Sequence, residues 1–183
     1  MTTASSKRLS DDVDEFTVDV ADQIESFLIA LGAVARGDFP GGTLSILLLE
    51  TSQLLLAGGR LGAVVDVVPT ERFEPDVGVD PDADGLRELL AELLGPANEY
   101  VEVFDPYAGD VDIVNSRLSD DLADVAADLY HGLAHYKAGR ANEALWWWQY
   151  SYLANWGSTA SSALRALHSA VAHTRLDASG QER

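Results

Sequence analysis

The sequence predicts an all-α fold, one helical bundle of about five helices with a long acidic loop across it. Three observations carry that prediction. Apolar residues recur at three- and four-residue steps in several segments, which gathers them on single helical stripes. Residues 143–173 hold all 4 tryptophans, and Arg165 is the only charged side chain between the two ends of that stretch. A chain with 30 acids and 12 bases that keeps charge out of such a stretch is burying most of it. Finally, only residues 100–113 read as a strand at all, through Tyr100, Val101, Val103 and Phe104, before Asp105-Pro106 turns away. A single short strand has no partner, so extended coil is expected there.

The helices follow in order. Ser10-Asp11-Asp12 suits a helix start, because a serine accepts an orphan amide and acids favour the positive end of the dipole. Phe16, Val20, Ile24, Phe27 and Leu31 then form the buried stripe, and Arg36-Gly37 closes the helix. After the turn Pro40-Gly41-Gly42, Thr43 caps a second helix over residues 44–57, ended by Gly58-Gly59 and antiparallel to the first. Residues 60–83 carry prolines, glycines and, with Asp84, seven acids (Asp66, Glu71, Glu74, Asp76, Asp80, Asp82, Asp84) against Arg72, so they read as a mobile acidic connection. Leu86, Leu89, Leu90, Leu93 and Leu94 make a short amphipathic helix that Gly95-Pro96 stops. Leu118-Ser119-Asp120-Asp121 repeats Leu9-Ser10-Asp11-Asp12 as one capping solution used twice, and the helix over residues 120–138 sets Leu122, Val125, Leu129, Leu133 and Tyr136 on one face. Gly139 ends it, Asn142 caps the tryptophan helix, and Gly157 is positioned to kink or split that helix, since glycine costs about 1 kcal/mol in a helix interior.

Composition bounds the function. At 183 residues the chain is one domain, with residues 11–176 as its body and 1–10 and 177–183 as disordered tails. With 0 cysteines, disulfides and thiolate metal sites are excluded. The net charge of −18 lies in residues 1–137, because Arg140, Arg165, Arg175 and Arg183 outnumber the acids beyond. Such a surface repels phosphate backbones and anionic lipid, so no direct nucleic acid or membrane is expected as partner. Residues 1–10 lack the apolar stretch of a signal peptide, and residues 44–57 are too short and too interrupted to span a bilayer. The expected compartment is the cytoplasm.

Three constellations are candidate sites. Wrapped at about 100° per residue, the tryptophan helix has a wide apolar arc (Leu145, Tyr152, Leu153, Trp156, Ala160) and an opposite face that is small, polar and uncharged. Trp147, Trp148, Ser151, Asn155, Ser158, Ser162 and Ser169 lie on that face. Packing inside the bundle explains it; so does a homodimer seam or partner surface using Trp147, Trp148, Ser151, Asn155 and Arg165, since interfaces favour tryptophan. His131 and His135 stand one turn apart with Asp124 and Asp128 on the same face, a spacing that grips a metal, although that face points to solvent and lacks a fixed third ligand. Asp80, Asp82 and Asp84 before Gly85 copy half of a calcium loop, but Ala91 occupies the position of its bidentate acid; Asp84 is better read as a helix cap. No nucleophile–histidine pair or phosphate-cradling glycine loop stands out, and no cofactor is expected.

Leu118-Ser119-Asp120-Asp121-Leu122-Ala123-Asp124, Gly132-Leu133, Glu143-Ala144-Leu145-Trp146, Trp148, Asn155-Trp156-Gly157 and Ala163-Leu164-Arg165-Ala166-Leu167-His168 together resemble a bacterial family catalogued as domain of unknown function number 5063. The resemblance covers most of the chain and implies no activity. It implies histidine at the position of Asn155 and another near Thr159, so a metal site built there is missing from this chain. It also implies genes beside recombination-repair genes. The stretch from Gly132 to Ala144 echoes one tetratricopeptide unit, a single copy where a solenoid needs about three. The expectation is therefore a non-enzymatic protein-interaction module, with a homodimer through the tryptophan-rich C-terminal helix as one form of it. The alternatives are an acidic mimic of nucleic acid acting on a repair or replication protein, and a metal-dependent enzyme or sensor.

Overall fold

A computed structural model describes residues 2–72, 75–78, 82–103, 107, 109, 110 and 112–180, with side chains in the first helix from Glu15 and in the last up to Asp177. It is an all-α bundle with one small sheet. The helices are α1 (Thr2–Ala35), α2 (Thr43–Ala63), α3 (Ala83–Leu94), α4 (Leu118–Lys137), α5 (Ala141–Ser151) and α6 (Gly157–Gly180). A 3₁₀ turn, Gly95–Asn98, leads from α3 into β1 (Glu99–Val103), which pairs antiparallel with β2 (Ile113–Arg117).

Stop signals end α1 and α4 in the same way. Gly37 and Gly139 both take φ 77°, and each donates its amide three residues back, to Val34 and Tyr136. The next amides, Asp38 and Arg140, reach five back, to Ala33 and His135. This is the left-handed helix end that glycine adopts without a Cβ penalty.

The start signals misled. Nothing between Thr2 and Leu9 breaks a helix, and the backbone is helical from Thr2, so Ser10 lies inside α1. Ser119 does not cap α4 either; the buried side chain of Asn98 accepts the Ser119 amide at 2.8 Å, a cap supplied from the 3₁₀ turn. Asp82, not Asp84, caps α3 by accepting from the Gly85 amide at 2.9 Å. Gly42, not Thr43, stands at the cap of α2. At the far end α6 runs to Gly180, so residues 177–180 are helical, and 181–183 lie outside the described residues.

Helix α2 continues through Gly58-Gly59 to Ala63 because those glycines leave a notch, not a break. A Cβ on Gly58 would sit 2.5 Å from the Tyr152 ring and 2.7 Å from Trp156, and one on Gly62 would sit 2.9 Å from Tyr152. The longer α2 is apolar enough, by length and composition, to cross a membrane. In the bundle its buried stripe, Leu47, Leu54, Ala57 and Leu61, joins the same core as α1, α4 and α6. Phe27, Leu31, Leu122, Leu129, Trp148 and Trp156 fill the centre of that core.

Between α5 and α6 the chain makes a π turn, Tyr152–Trp156. The wider turn carries an extra residue and shifts the register of everything after it. Gly157, the first residue of α6, packs closely on this turn: a Cβ there would lie 2.4 Å from the Tyr152 carbonyl oxygen. A uniform 100° wheel drawn through the break therefore fails. Leu153, assigned to the apolar arc, is exposed, whereas Trp148 and Ser151 on the supposed opposite face are buried.

Candidate functional site

The tryptophan face turns out to be packed inside the chain. Trp147 and Trp148 donate their indole N–H groups to consecutive carbonyls of α4, Asp128 at 2.9 Å and Leu129 at 3.2 Å. Trp148 is fully buried, and Gly132 leaves the space for it. The buried Ser151 hydroxyl donates to the Trp147 carbonyl at 2.7 Å. Asn155 is exposed but its Nδ2 donates to Asp128 Oδ2 at 2.7 Å. Trp148 and Ser151 are thus not available to a partner, and this half of the expected surface is the α4–α5 seam.

The His131/His135 face does not point to solvent as the wheel suggested. His135 is fully buried and its Nδ1 accepts from Arg140 Nε at 3.3 Å, because the turn into α5 folds back over that side of α4. The His131 ring lies 4.1 Å from that of Trp147 and 5.3 Å from that of His135. Asp128 is taken by Asn155, and burial pushes its carboxyl above the ordinary range. Asp124 is taken by Arg87 at 2.9 Å. Among the described residues no three His, Asp or Glu side chains converge where an ion could sit. Of the half calcium loop, Asp80 lies outside the described residues, Asp82 is a cap, and Asp84 pairs with Arg87. Arg87 also approaches Asp120 at 3.3 Å, so one guanidinium stitches α3 to α4 through two carboxylates, Asp120 and Asp124, while pairing with Asp84 in its own helix.

The acidic connection is tied down, contrary to the expectation of a mobile one. Gln149, buried on α5, donates to the carbonyl of Leu61 at 2.9 Å and accepts from the Val67 amide at 2.7 Å. Asn142, expected as a cap, instead donates to the Val68 carbonyl at 2.7 Å and to Thr70 Oγ1 at 3.0 Å. Glu143 accepts the amides of Thr70 and Glu71 at 2.9 and 3.2 Å. Burial alone would raise the Glu143 carboxyl, but these amides and its own hold it below the ordinary range. The loop's acids Asp66, Glu71 and Asp76 stay exposed while its backbone does the binding.

Residues 99–117 hold the largest departure from expectation, an antiparallel hairpin. The strand with no evident partner finds it in Ile113–Arg117, with Tyr100 opposite Ser116 and Val103 opposite Ile113. Its inner face meets α4: the Tyr100 hydroxyl donates to Asp121 Oδ2 at 2.6 Å, and Ser116 donates to Glu102 at 2.8 Å. Burial, with Glu102, Asp120 and Asp124 adding to it, pushes the Asp121 carboxyl up to about 6 despite that hydrogen bond. Burial and the same carboxylate push the Tyr100 hydroxyl up as well.

On the hairpin's outer face, beside Glu99, Asn115 and Arg117, three aliphatic side chains are bare: Val101 is 62%, Val103 46% and Ile113 65% exposed. It forms one wall of a groove of about 790 Å³ whose other wall is α6. That volume lies within the roughly 300–1,000 Å³ of ligand clefts. On the α6 wall stand Ser158, Ser162, Arg165, Ser169 and His173. Here the second half of the expected polar face, after the π turn, is open, and it carries Arg165. All five residues of β1 line the groove, and among the described residues β1 pairs with β2 on one edge only. Arg36, Arg60, Arg87, Arg117 and Lys137 each reach a carboxylate; among the described residues nothing pairs with Arg165.

Comparison with known proteins agrees with this architecture. The chain is similar to the crystal structure of protein BF1032 from Bacteroides fragilis, with a TM-score of 0.70 and 20% identity over 85% of this chain and 91% of that one. At that identity the likeness shows the fold alone. No curated protein matches the chain. The model described as Domain of unknown function (DUF5063) matches residues 11–173, and the chain belongs to that family.

Proposed function

We propose that the protein is a binding module that captures an extended segment of a partner protein in the groove between the hairpin and α6. The observation that carries this reading is the open edge of β1 along the groove. An unpaired strand edge offers a row of backbone donors and acceptors that an extended peptide satisfies by adding a strand, while side-chain pockets supply selectivity. The aliphatic wall and the small hydroxyl-bearing wall suit such an occupant. The test places a photo-crosslinking residue at Ser162 in the full chain, within the native cell. The proposal expects a discrete crosslinked partner that disappears when Ala166→Trp fills the groove. The same crosslinks in open and filled proteins refute it.

A second reading, an acidic surface that occupies a basic nucleic-acid site, is supported by the net charge of −18. Its complex weakens steeply with salt. A complex indifferent to salt rules it out.

A further inference from the structure

We infer that the groove recognises the free C-terminal carboxylate of an uncharged, apolar peptide, with Arg165 as the residue that holds it. This rests on the groove being the binding seat.

The argument begins from charge. In a chain of 30 acids and 12 bases a cation finds a carboxylate easily, and five of the described cations do. Among the described residues Arg165 has none, and it stands exposed in the groove, so its planar fork is free for a carboxylate from outside. Ser162 and Ser158, one turn and two turns before it on the same face, add hydroxyl donors with no partner of their own. Opposite, Val101, Val103 and Ile113 present aliphatic side chains, and Glu99 and Glu102 on the same wall turn a carboxylate away from β1 and toward Arg165.

The same charge selects between sources of the carboxylate. An acidic peptide would bring several negative charges toward a surface of net charge −18 and be repelled. A single terminal carboxylate on an otherwise neutral segment brings one. Its peptide backbone pairs with β1, its apolar side chains meet the valines, and its terminus reaches the arginine.

The experiment uses the full chain and two N-acetylated Val-Leu-Val peptides, one with a free carboxylate and one with a carboxamide. Binding is followed by shifts of the Val101, Val103 and Ser162 amides and of the Arg165 Nε–H in nuclear magnetic resonance spectra. The expected result is saturable binding of the carboxylate peptide, at least tenfold tighter than the carboxamide. Arg165→Gln should lower the first to the level of the second, and Arg165→Lys should restore part of the difference. Arg165 is exposed, so these variants keep the fold, which the unperturbed spectra report. Equal affinity for both peptides overturns the inference, as does binding unchanged by Arg165→Gln or shifts away from the groove. If neither peptide binds, the inference falls too. A partner crosslink at Ser162 that survives any of these failures leaves the groove as the seat and removes only the carboxylate.

Discussion

Replacing Gly132 by alanine tests the α4–α5 seam directly. In an ordinary helix the change adds about 1 kcal/mol of stability, because glycine is the weaker helix former. Here the new Cβ would lie 2.1 Å from Trp148 Nε1 and 2.4 Å from its Cδ1. The ring has nowhere to go: it is fully buried, and its N–H is held by the Leu129 carbonyl. Overpacking of this kind costs about 1–3 kcal/mol, and displacing the indole loses a hydrogen bond of about 1 kcal/mol. Set against the propensity gain, the net is a loss of about 1–3 kcal/mol, or a fall in Tm of about 2–12 °C for a chain of this size. Gly59, exposed on α2 with nothing within 4 Å of its Cβ position, is the internal control. Gly59→Ala should gain up to about 1 kcal/mol by the same helix propensity. Urea unfolding followed by circular dichroism measures both. A Gly132→Ala protein as stable as the parent would show that α4 and α5 do not approach as described.

Other predictions concern polar groups and the tryptophans. Asp121 has a raised folded pKa of about 6, so it favours folding below the unfolded value of 3.8 and loses that contribution as pH rises through 6. Asp121→Asn should therefore be more stable than the parent at pH 7.5, with the advantage vanishing near pH 4; an advantage that grows in acid contradicts the assignment. Glu143→Ala should leave the helical signal intact but speed hydrogen exchange at the Thr70 and Glu71 amides, and unchanged protection there would show that the strap is held by something else. Trp148→Ala should cost about 3–5 kcal/mol, as for other buried large-to-small changes, and Trp147→Ala less, with no change of mass by light scattering in either folded protein. Loss of association without loss of stability would return both residues to a partner surface.

The sequence shows most of the helical framework and less of what joins it. The stripe Phe16–Leu31 positions and the glycines at 37 and 139 are local signals, and their local physics decides the outcome. The caps are harder to read because Asn98 serves α4 from another element, and no pattern within Leu118-Ser119-Asp120-Asp121 reveals that. The strap is invisible to composition for a different reason. Residues 60–83 read as acidic and loose from their side chains, yet Gln149, Asn142 and Glu143 bind their backbone. One clue is present: Glu143 and Gln149 are polar groups in a stretch otherwise cleared of charge, and polar groups that are buried there need partners. The β1–β2 pairing is hard to read from sequence because Ile113–Arg117 immediately precedes a strong helix start at Leu118. As for the groove, Ser158, Ser162 and Ser169 line it together with Arg165, but the π turn separates them from Trp147 and Trp148, which a uniform wheel puts on the same face.

That separation decides how the low-charge C-terminal segment is used. Uncharged polar residues are needed for two opposite purposes: to pack against another helix without a buried charge, and to receive a ligand without a strong preference for water. Before the π turn they do the first. Trp147 and Trp148 bring their own donors to α4, whose carbonyls have a second lone pair to offer, so no charge has to be neutralised in the seam. After it they line the groove, where the proposed function gives them the second purpose, and the one charge admitted, Arg165, faces the groove and not the core. If the turn were an ordinary α-helical continuation, the register of α6 would rotate by one residue, about 100°. Leu153 would swing toward the core and the serines away from β1. Deleting Ala154, which lies exposed within the turn, should therefore restore a straight helix and close the groove wall while retaining helical content. Crosslinking through Ser162 should then fail even though Arg165 and all the serines are still in the chain. A deletion protein that still captures its partner at Ser162 would show that the π turn does not set the groove.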